Sequence, residues 1–404
     1  MPGRRPEAAA LDSLADACRR TERGLLVAGP AGPRPGASEA PGGNEIAELS
    51  RLTGWPLIAD LASQLRSEAG EGDPPAWGPP ADLATDPGVW RRLRPDLVLQ
   101  WGRAPTATGW VQRLTDSPLP AAHWVVSGSG TWHDPESTAT DLLMANPAEV
   151  LAGLLERLRR APAPAARARS PWRLAWQRLA RASRTLLADD LAASEGPLSE
   201  SRAAAAAVAA VPPGGLLTLG NSLSVRQADV HGAAPRPGGH VLSQRGASGI
   251  DGLVAGAAGA AVATGRPSLV LLGDVSLLHD VGSLATVPTG EGPFVVVVID
   301  NRGGRIFEQL PVARQVDARR LEHWITPPTR GRDFAHAAAF GDFEHRPANT
   351  AEALDRALEE AFSSGGRWLL EARVEPSRAA AERRELMTRW RLEVERGEAE
   401  ESGD

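Results

Sequence analysis

The stretch 268–301, SLVLLGDVSLLHDVGSLATVPTGEGPFVVVVIDN, contains two short and almost wholly apolar runs, SLVLLGD (268–274) and FVVVVIDN (294–301). Neither run alternates. Leu- and Val-rich segments of this kind are strands buried on both faces, as in a parallel sheet covered by helices. Each run ends on polar residues: Gly273-Asp274 in the first, Asp300-Asn301-Arg302-Gly303 in the second. In open parallel sheets, ligands gather outside the carboxyl ends of the strands. Two such ends can hold one metal ion between them. Asp274 offers a carboxylate, Asn301 a side-chain carbonyl, and Gly303 a backbone carbonyl with no side chain in the way. These are hard oxygen ligands, suited to Mg²⁺, whose remaining positions suit phosphate oxygens and water. Asp274 taken alone also reads as the N-cap of the helix that follows.

Working outward, residues 172–396 read as one α/β unit. LLTLGN (216–221), HVLSQ (240–244) and RWLLEARV (367–374) complete its strands. ASGIDGLVAGAAGAAVATG (247–265) reads as a helix of small residues, which fits close approach to a ligand or tight packing alone. Residues 160–171, RAPAPAARARSP, alternate Ala and Pro and read as a linker, with its domain form taken as 161–171. Residues 1–160 read as a second α/β unit. Its strands are GLLVAGP (24–30), WPLIAD (55–60), PDLVLQWG (95–102) and HWVVS (123–127), with helices at 47–52, 61–66 and 147–159. Residues 70–89 have the composition of a loop, and residues 397–404 that of a charged, fraying tail. The expected fold is therefore α/β, with two parallel-sheet domains.

Composition narrows the function. The chain has 404 residues, 42% hydrophobic and 23% charged, enough for ordinary globular cores. It has 44 Lys plus Arg, all of them Arg, against 50 Asp plus Glu, for a net charge of −6. A mildly acidic chain lacks the basic face that general nucleic-acid binding needs. Cys18 is the single cysteine, which excludes an internal disulfide framework and a Cys-rich zinc site. No apolar run approaches the ~20 residues of a membrane span, and the first residues lack the apolar core of a secretory signal. A cytoplasmic setting is expected.

The strand-end pair Gly273-Asp274 and Asp300-Asn301 resembles the diphosphate-binding motif of thiamine diphosphate enzymes. Together with GNSLSVR (220–226), SQRGASGIDG (243–252), GDVSLLHD (273–280), DNRGGRIFEQLP (300–311) and TPPTRGRDFAHAAAFG (326–341), it resembles one branch of them. That branch is the 2-succinyl-5-enolpyruvyl-6-hydroxy-3-cyclohexene-1-carboxylate synthases of menaquinone biosynthesis. PDLVLQWGRAPT (95–106) and HWVVSGSGTWHDP (123–135) extend the resemblance into the first unit, as the family's central Rossmann-like domain.

The resemblance implies a transferase using thiamine diphosphate and Mg²⁺ or Mn²⁺. Its substrates would be 2-oxoglutarate, which is decarboxylated, and isochorismate, to which the product carbanion adds. Gly246, Ser248, Gly249, Ile250, Gly273, Asp274, Val275 and Ser276 would bind the cofactor. Asp274, Asn301 and Gly303 would bind the metal. Arg226 and Arg245 hold the family's substrate-binding positions, as Ser222 does for its hydroxyl. Arg suits carboxylates through its planar fork. A helical segment would put Ser222 and Arg226 on one face. Ile250 matches the aliphatic residue under the thiazolium ring. Ile306, Phe307 and Leu310 match the apolar wall, and their spacing equally fits a helix burying one face. His279 admits a general-base reading and a helix-face reading. The chain departs from the family pattern at Gln244, Val275, Gly282 and Arg305, and Arg305 fits either a carboxylate contact or solvent.

The resemblance covers only the family's last two domains. By that resemblance, the domain that binds the aminopyrimidine ring and supplies a glutamate is expected to come from outside these residues. A homo-oligomer, or a hetero-oligomer with a pyrimidine-binding chain, is expected. A non-catalytic or partner-dependent cofactor-binding module, and a related 2-oxoacid decarboxylase, are the alternatives.

Overall fold

The computed structural model describes residues 5–31, 42–66, 77–116, 119–128, 130–161, 169–192, 196–290, 292–324, 333–376 and 378–402. Most of the linker (162–168), residues 70–76 of the expected loop and residues 326–332 of the quoted motif lie outside them. The chain divides into two compact units, Met1–Ala188 with Met387–Asp404, and Asp189–Leu386.

The first unit is built on a parallel sheet of five strands: β1 (Gly24–Ala28), β2 (Leu57–Ala59), β3 (Leu97–Trp101), β4 (Ala122–Val126) and β5 (Asp141–Leu143). Their order is β2-β1-β3-β4-β5. β1 and β3 are buried along their whole length, as their unbroken apolar runs require. The helices Ala8–Arg20, Gly43–Thr53 and Pro147–Arg160 pack Leu14, Ile46, Leu49 and Leu154 against Leu26, Leu99 and Trp101. Cys18 is part of that core. The last of these helices starts on Pro147, with Asn146 Oδ1 accepting from Ala148 N at 2.9 Å. The stretch expected as a loop is partly helical, at Ala81–Ala84 and Pro87–Arg92. Its Asp and Pro are helix-start chemistry, for Asp86 Oδ1 accepts from Gly88 N at 2.8 Å and Pro87 opens the helix.

The second unit has six parallel strands: β6 (Leu216–Leu219), β7 (His240–Ser243), β8 (Ser268–Gly273), β9 (Phe294–Asp300), β10 (Glu344–Ala348) and β11 (Arg367–Arg373). Their order is β10-β11-β9-β8-β6-β7. β8 and β9 are neighbours in register, with Gly273 opposite Ile299, so Asp274 and Asn301 emerge side by side at the carboxyl edge. The small-residue helix is shorter than expected. It begins at Leu253, because Ser248 (φ 54°) and Gly252 (φ 70°) turn the preceding segment out of helical geometry. One face of it packs Leu253, Val254, Ala257 and Ala258 against Val270, Leu272 and Val298, while Ala255, Gly256, Gly259 and Val262 are exposed.

The expected boundary at 160–171 and the observed division differ. The helix Pro171–Ala192 runs through the division point. Its first turn belongs to the first unit, where Trp172 Nε1 donates to Gly24 O at 3.1 Å. The helix Arg378–Ser402 likewise runs through the second point, and continues past the place where fraying was expected.

Candidate active site

The carboxyl ends of β6, β8 and β9 border a cavity of about 420 Å³ in the second unit. Asp274 lines it and is 1% exposed. It is the first residue of the helix Asp274–His279, whose N-cap is Gly273, so the N-cap reading of Asp274 is corrected by one position. Its Oδ2 accepts from Gly303 N and its Oδ1 from Val275 N, both at 2.7 Å. The first of these bonds ties the end of β8 to the loop after β9.

Asn301 is buried beside it. Its Nδ2 donates to Glu200 Oε1 at 2.7 Å, and its Oδ1 has no hydrogen-bond partner. Gly303 has φ 133°, a conformation open to glycine, and its carbonyl accepts from Arg305 N at 2.9 Å, which leaves the second lone pair. Buried polar groups are seldom left unpaired. An unpartnered amide oxygen next to a buried carboxylate and a glycine carbonyl is an all-oxygen donor set, which fits Mg²⁺ or Mn²⁺.

Another side of the cavity is organised by Asn221. Its Nδ2 donates to Gly249 O at 2.6 Å, and its Oδ1 accepts from Arg245 Nη1 at 3.1 Å. Ser222 is the N-cap of the helix Leu223–His231, not part of a shared helical face, and Arg226 Nη1 reaches back to Ser222 O at 2.6 Å. Both guanidinium groups thus share one cavity with Ser222, Ser248, Ile250, Gly273, Asp274, Val275, Ser276, Asn301, Gly303, Ile306 and Phe307. Gly246, Gly249 and Leu310 lie outside its lining. Non-glycine residues with positive φ gather here: Ser222 (72°), Ser248 (54°) and Arg302 (60°). Such backbone strain persists where surrounding structure enforces it, commonly at binding sites.

The segment after Gly304 is a 3₁₀ helix, Arg305–Gln309, and not a helix burying an apolar face. Phe307 and Leu310 are exposed, and Arg305 is the residue buried instead. Its guanidinium uses all five donors: Nε to Asn301 O (3.1 Å), Nη1 to Glu308 Oε1 (2.8 Å) and Glu322 Oε2 (2.7 Å), Nη2 to Arg302 O and Glu322 Oε1 (both 3.2 Å). Of the two readings of Arg305, the carboxylate contact holds, with the chain's own carboxylates. His279 is largely exposed, 3.7 Å from Asp251, and lies off the cavity, which favours its helix-face reading. Asp280 is buried and its Oδ2 accepts from Val254 N at 2.7 Å, capping the helix Leu253–Thr264.

Glu200 and Asn221 were missed by sequence reasoning. Glu200 stands in the first turn of the helix Glu200–Ala210, after the cap Ser199, where an acidic residue reads simply as complementing the helix dipole. Burial pushes its carboxyl up to about 7, against the bond donated by Asn301. Burial also raises the Asp300 carboxyl, opposed by the bond from Arg302 N and helped by Glu371. Asp333, His345 and Glu371 approach one another closely elsewhere in this unit. Glu371 is already engaged there by His345 at 2.9 Å and Arg373 at 2.7 Å, and Asp333 caps the helix Phe334–Phe340.

Residues 226–372 match the family of the thiamine pyrophosphate enzyme C-terminal TPP-binding domain. The chain is 39% identical over 392 residues to a 2-succinyl-5-enolpyruvyl-6-hydroxy-3-cyclohexene-1-carboxylate synthase of Sorangium cellulosum, covering 95% of this chain and 62% of that protein. It is 33% identical over 403 residues to the synthase of the same name from Myxococcus xanthus, covering 97% of this chain and 63% of that protein. The Rubrobacter xylanophilus protein of that name is 36% identical over 384 residues, 95% of this chain and 63% of its own length. The chain thus spans a little over three fifths of the relatives it matches. Among the described residues, no helix is long and apolar enough to cross a membrane. The chain is thus similar to 2-succinyl-5-enolpyruvyl-6-hydroxy-3-cyclohexene-1-carboxylate synthases over nearly all of its own length, and within its second unit it matches the C-terminal TPP-binding domain of the thiamine pyrophosphate enzymes.

Proposed function

We propose that this chain forms the diphosphate-binding part of such a synthase, with thiamine diphosphate and Mg²⁺ or Mn²⁺ as cofactors and 2-oxoglutarate and isochorismate as substrates. The observation that carries the reading is the single cavity shared by an oxygen donor set and two arginines. Bound thiamine diphosphate supplies the electron sink with which the C1–C2 bond of 2-oxoglutarate breaks, CO₂ leaves, and a C–C bond forms to isochorismate. Asp274, Asn301 Oδ1 and the Gly303 carbonyl hold the cation. Gly246, Ser248, Gly249, Gly273, Val275 and Ser276 contribute backbone and hydroxyl groups around the diphosphate. Ile250 supports the cofactor from below. Arg226 and Arg245 pair with substrate carboxylates, with Ser222 beside them, and their pre-set positions lower the entropic cost of orienting two acids. Ile306 and Phe307 give the cavity an apolar side beside the reacting carbon, and Leu310 extends that side beyond the lining. The proposal includes a cytoplasmic role in menaquinone biosynthesis.

A second element of the proposal is completion of the site by a pyrimidine-binding domain in a homo- or hetero-oligomer. The test is loss of isochorismate with 2-oxoglutarate, thiamine diphosphate and Mg²⁺, with and without such a domain. Turnover, alone or on addition, supports the synthase. CO₂ release that ignores isochorismate identifies a decarboxylase. Cofactor binding with neither reaction identifies a binding module.

A further inference from the structure

We infer that Glu200 is a positioning residue for the cation site: it fixes the Asn301 amide so that Oδ1, not Nδ2, faces the cavity. The inference rests on the cofactor reading above and adds a residue outside the matched segment 226–372. An asparagine amide is nearly symmetric in shape, and only its oxygen can ligate a cation. Something must decide which end points inward. Here the decision is made by a buried carboxylate. Glu200 is 3% exposed, and its Oε1 accepts from Asn301 Nδ2 at 2.7 Å. In its ionised form a carboxyl group only accepts, and so turns Nδ2 of the amide toward itself. The consequence is visible in the same pair: Asn301 Oδ1 is left buried and unpartnered.

Glu200 itself keeps a second unpartnered atom, Oε2, and the residue lines the cavity with Asp274 and Gly303. A cation held by carboxylate and carbonyl oxygens retains water in its remaining positions. Oε2 is an acceptor for such a water. Glu200 therefore acts on the cation through Asn301 and through solvent, as residues behind metal ligands do when they orient the ligand. The fold delivers it reliably. Ser199 Oγ accepts from Arg202 N at 3.1 Å and fixes the start of the helix Glu200–Ala210, so the carboxylate comes from a rigid element.

Leaving two buried oxygens unpaired costs stability when the site is empty of its cation. This gives the test a direction that a structural role does not share. Glu200→Leu keeps the volume and removes the acceptor. Removing a desolvated carboxyl group with one oxygen already unpaired offsets the cost of leaving Asn301 Nδ2 without its acceptor. The expected result is a melting temperature of the cofactor-free chain that is unchanged or higher, with a Mg²⁺ midpoint for thiamine diphosphate binding at least tenfold higher by calorimetry. Glu200→Gln, whose carbonyl still accepts from Asn301 Nδ2, is expected to stay much closer to the parent midpoint. A Glu200→Leu chain with the parent Mg²⁺ midpoint overturns the inference alone. A parent chain that binds thiamine diphosphate without dependence on Mg²⁺, or not at all, overturns the cofactor reading and this inference with it. If Glu200→Leu does not fold, the comparison of Glu200→Gln with Glu200→Ala decides: equal midpoints overturn the positioning role.

Discussion

At the scale of single residues, the proposed site separates into groups assigned to the cofactor and groups assigned to the substrate. Asp274 joins β8 to the loop after β9 through Gly303 N, so in the proposed role it would act on both the cation and the loop geometry. Asp274→Ala is expected to weaken Mg²⁺-dependent thiamine diphosphate binding by two orders of magnitude or more, measured by calorimetry; unchanged affinity refutes the ligand assignment. Arg245 behaves differently. Its Nη1 donates to Asn221 Oδ1, at the end of β6 and not at the ends of β8 and β9. Loss of a charge-assisted bond to a bound carboxylate is worth about 1.5–3 kcal/mol, roughly 10–150-fold. Arg245→Ala is therefore expected to raise the KM for a carboxylate substrate by that factor while cofactor affinity stays within about twofold. Equal turnover at limiting substrate removes Arg245 from substrate binding. The ligand residues were legible because a strand end displays them in a short local pattern. Glu200 was not, because its role depends on a partner 101 positions away in the chain.

At the scale of elements, the strands that could be read were those buried on both faces. β8 and β9 advertise themselves by unbroken Leu and Val. β10 does not: its sequence EHRPA is polar, and it sits at the sheet edge where Pro347 removes no interior ladder bond. β5 has three residues, too short for any periodicity, and is also an edge. The helix positions that failed were likewise local exceptions. Arg305 overrides an apolar pattern because its guanidinium makes five hydrogen bonds, one buried and four part-buried, against three partly exposed apolar side chains. β4 carries a titratable consequence. His123 is 1% exposed, and burial lowers its pKa below 6.5, against the pull of Asp134. The folded His123 is neutral when the unfolded chain has already taken its proton near pH 6.5. Stability is thus fully present above that pH and falls on acidification, by up to about 1.4 kcal/mol per pH unit, until the folded imidazole also protonates. Urea midpoints at about pH 7.5 and about pH 5.5 should differ more for the parent chain than for His123→Gln. An equal drop in both assigns the acid sensitivity to other groups.

At the scale of the whole molecule, the chain's division follows packing and not composition. An Ala/Pro run at 160–171 was the obvious place to cut a sequence, yet the contacts divide the chain within two long helices. The reason is a set of large side chains on the parts of those helices that belong to the first unit. Trp172 reaches Gly24 O, and Trp390 is fully buried with its Nε1 donating to Leu83 O at 3.0 Å. Arg391 adds a 2.9 Å ion pair with the buried carboxylate of Asp86. The charged carboxyl-terminal helix, which by composition reads as a solvated tail, thereby closes the core of the first unit. The prediction is specific. Truncating a buried Trp to Ala typically costs about 3–5 kcal/mol, because a cavity is left behind as well as apolar area lost. Trp390→Ala should reduce stability by that amount in denaturant, and amide-exchange protection should fall in β1 and β3. The variant should still bind thiamine diphosphate with Mg²⁺ wherever it is folded, since every residue assigned to that site lies between Glu200 and Leu310. A loss below about 1 kcal/mol would return the helix end to the status its composition suggests. A loss confined to β8 and β9 would assign Trp390 to the second unit and move the division accordingly.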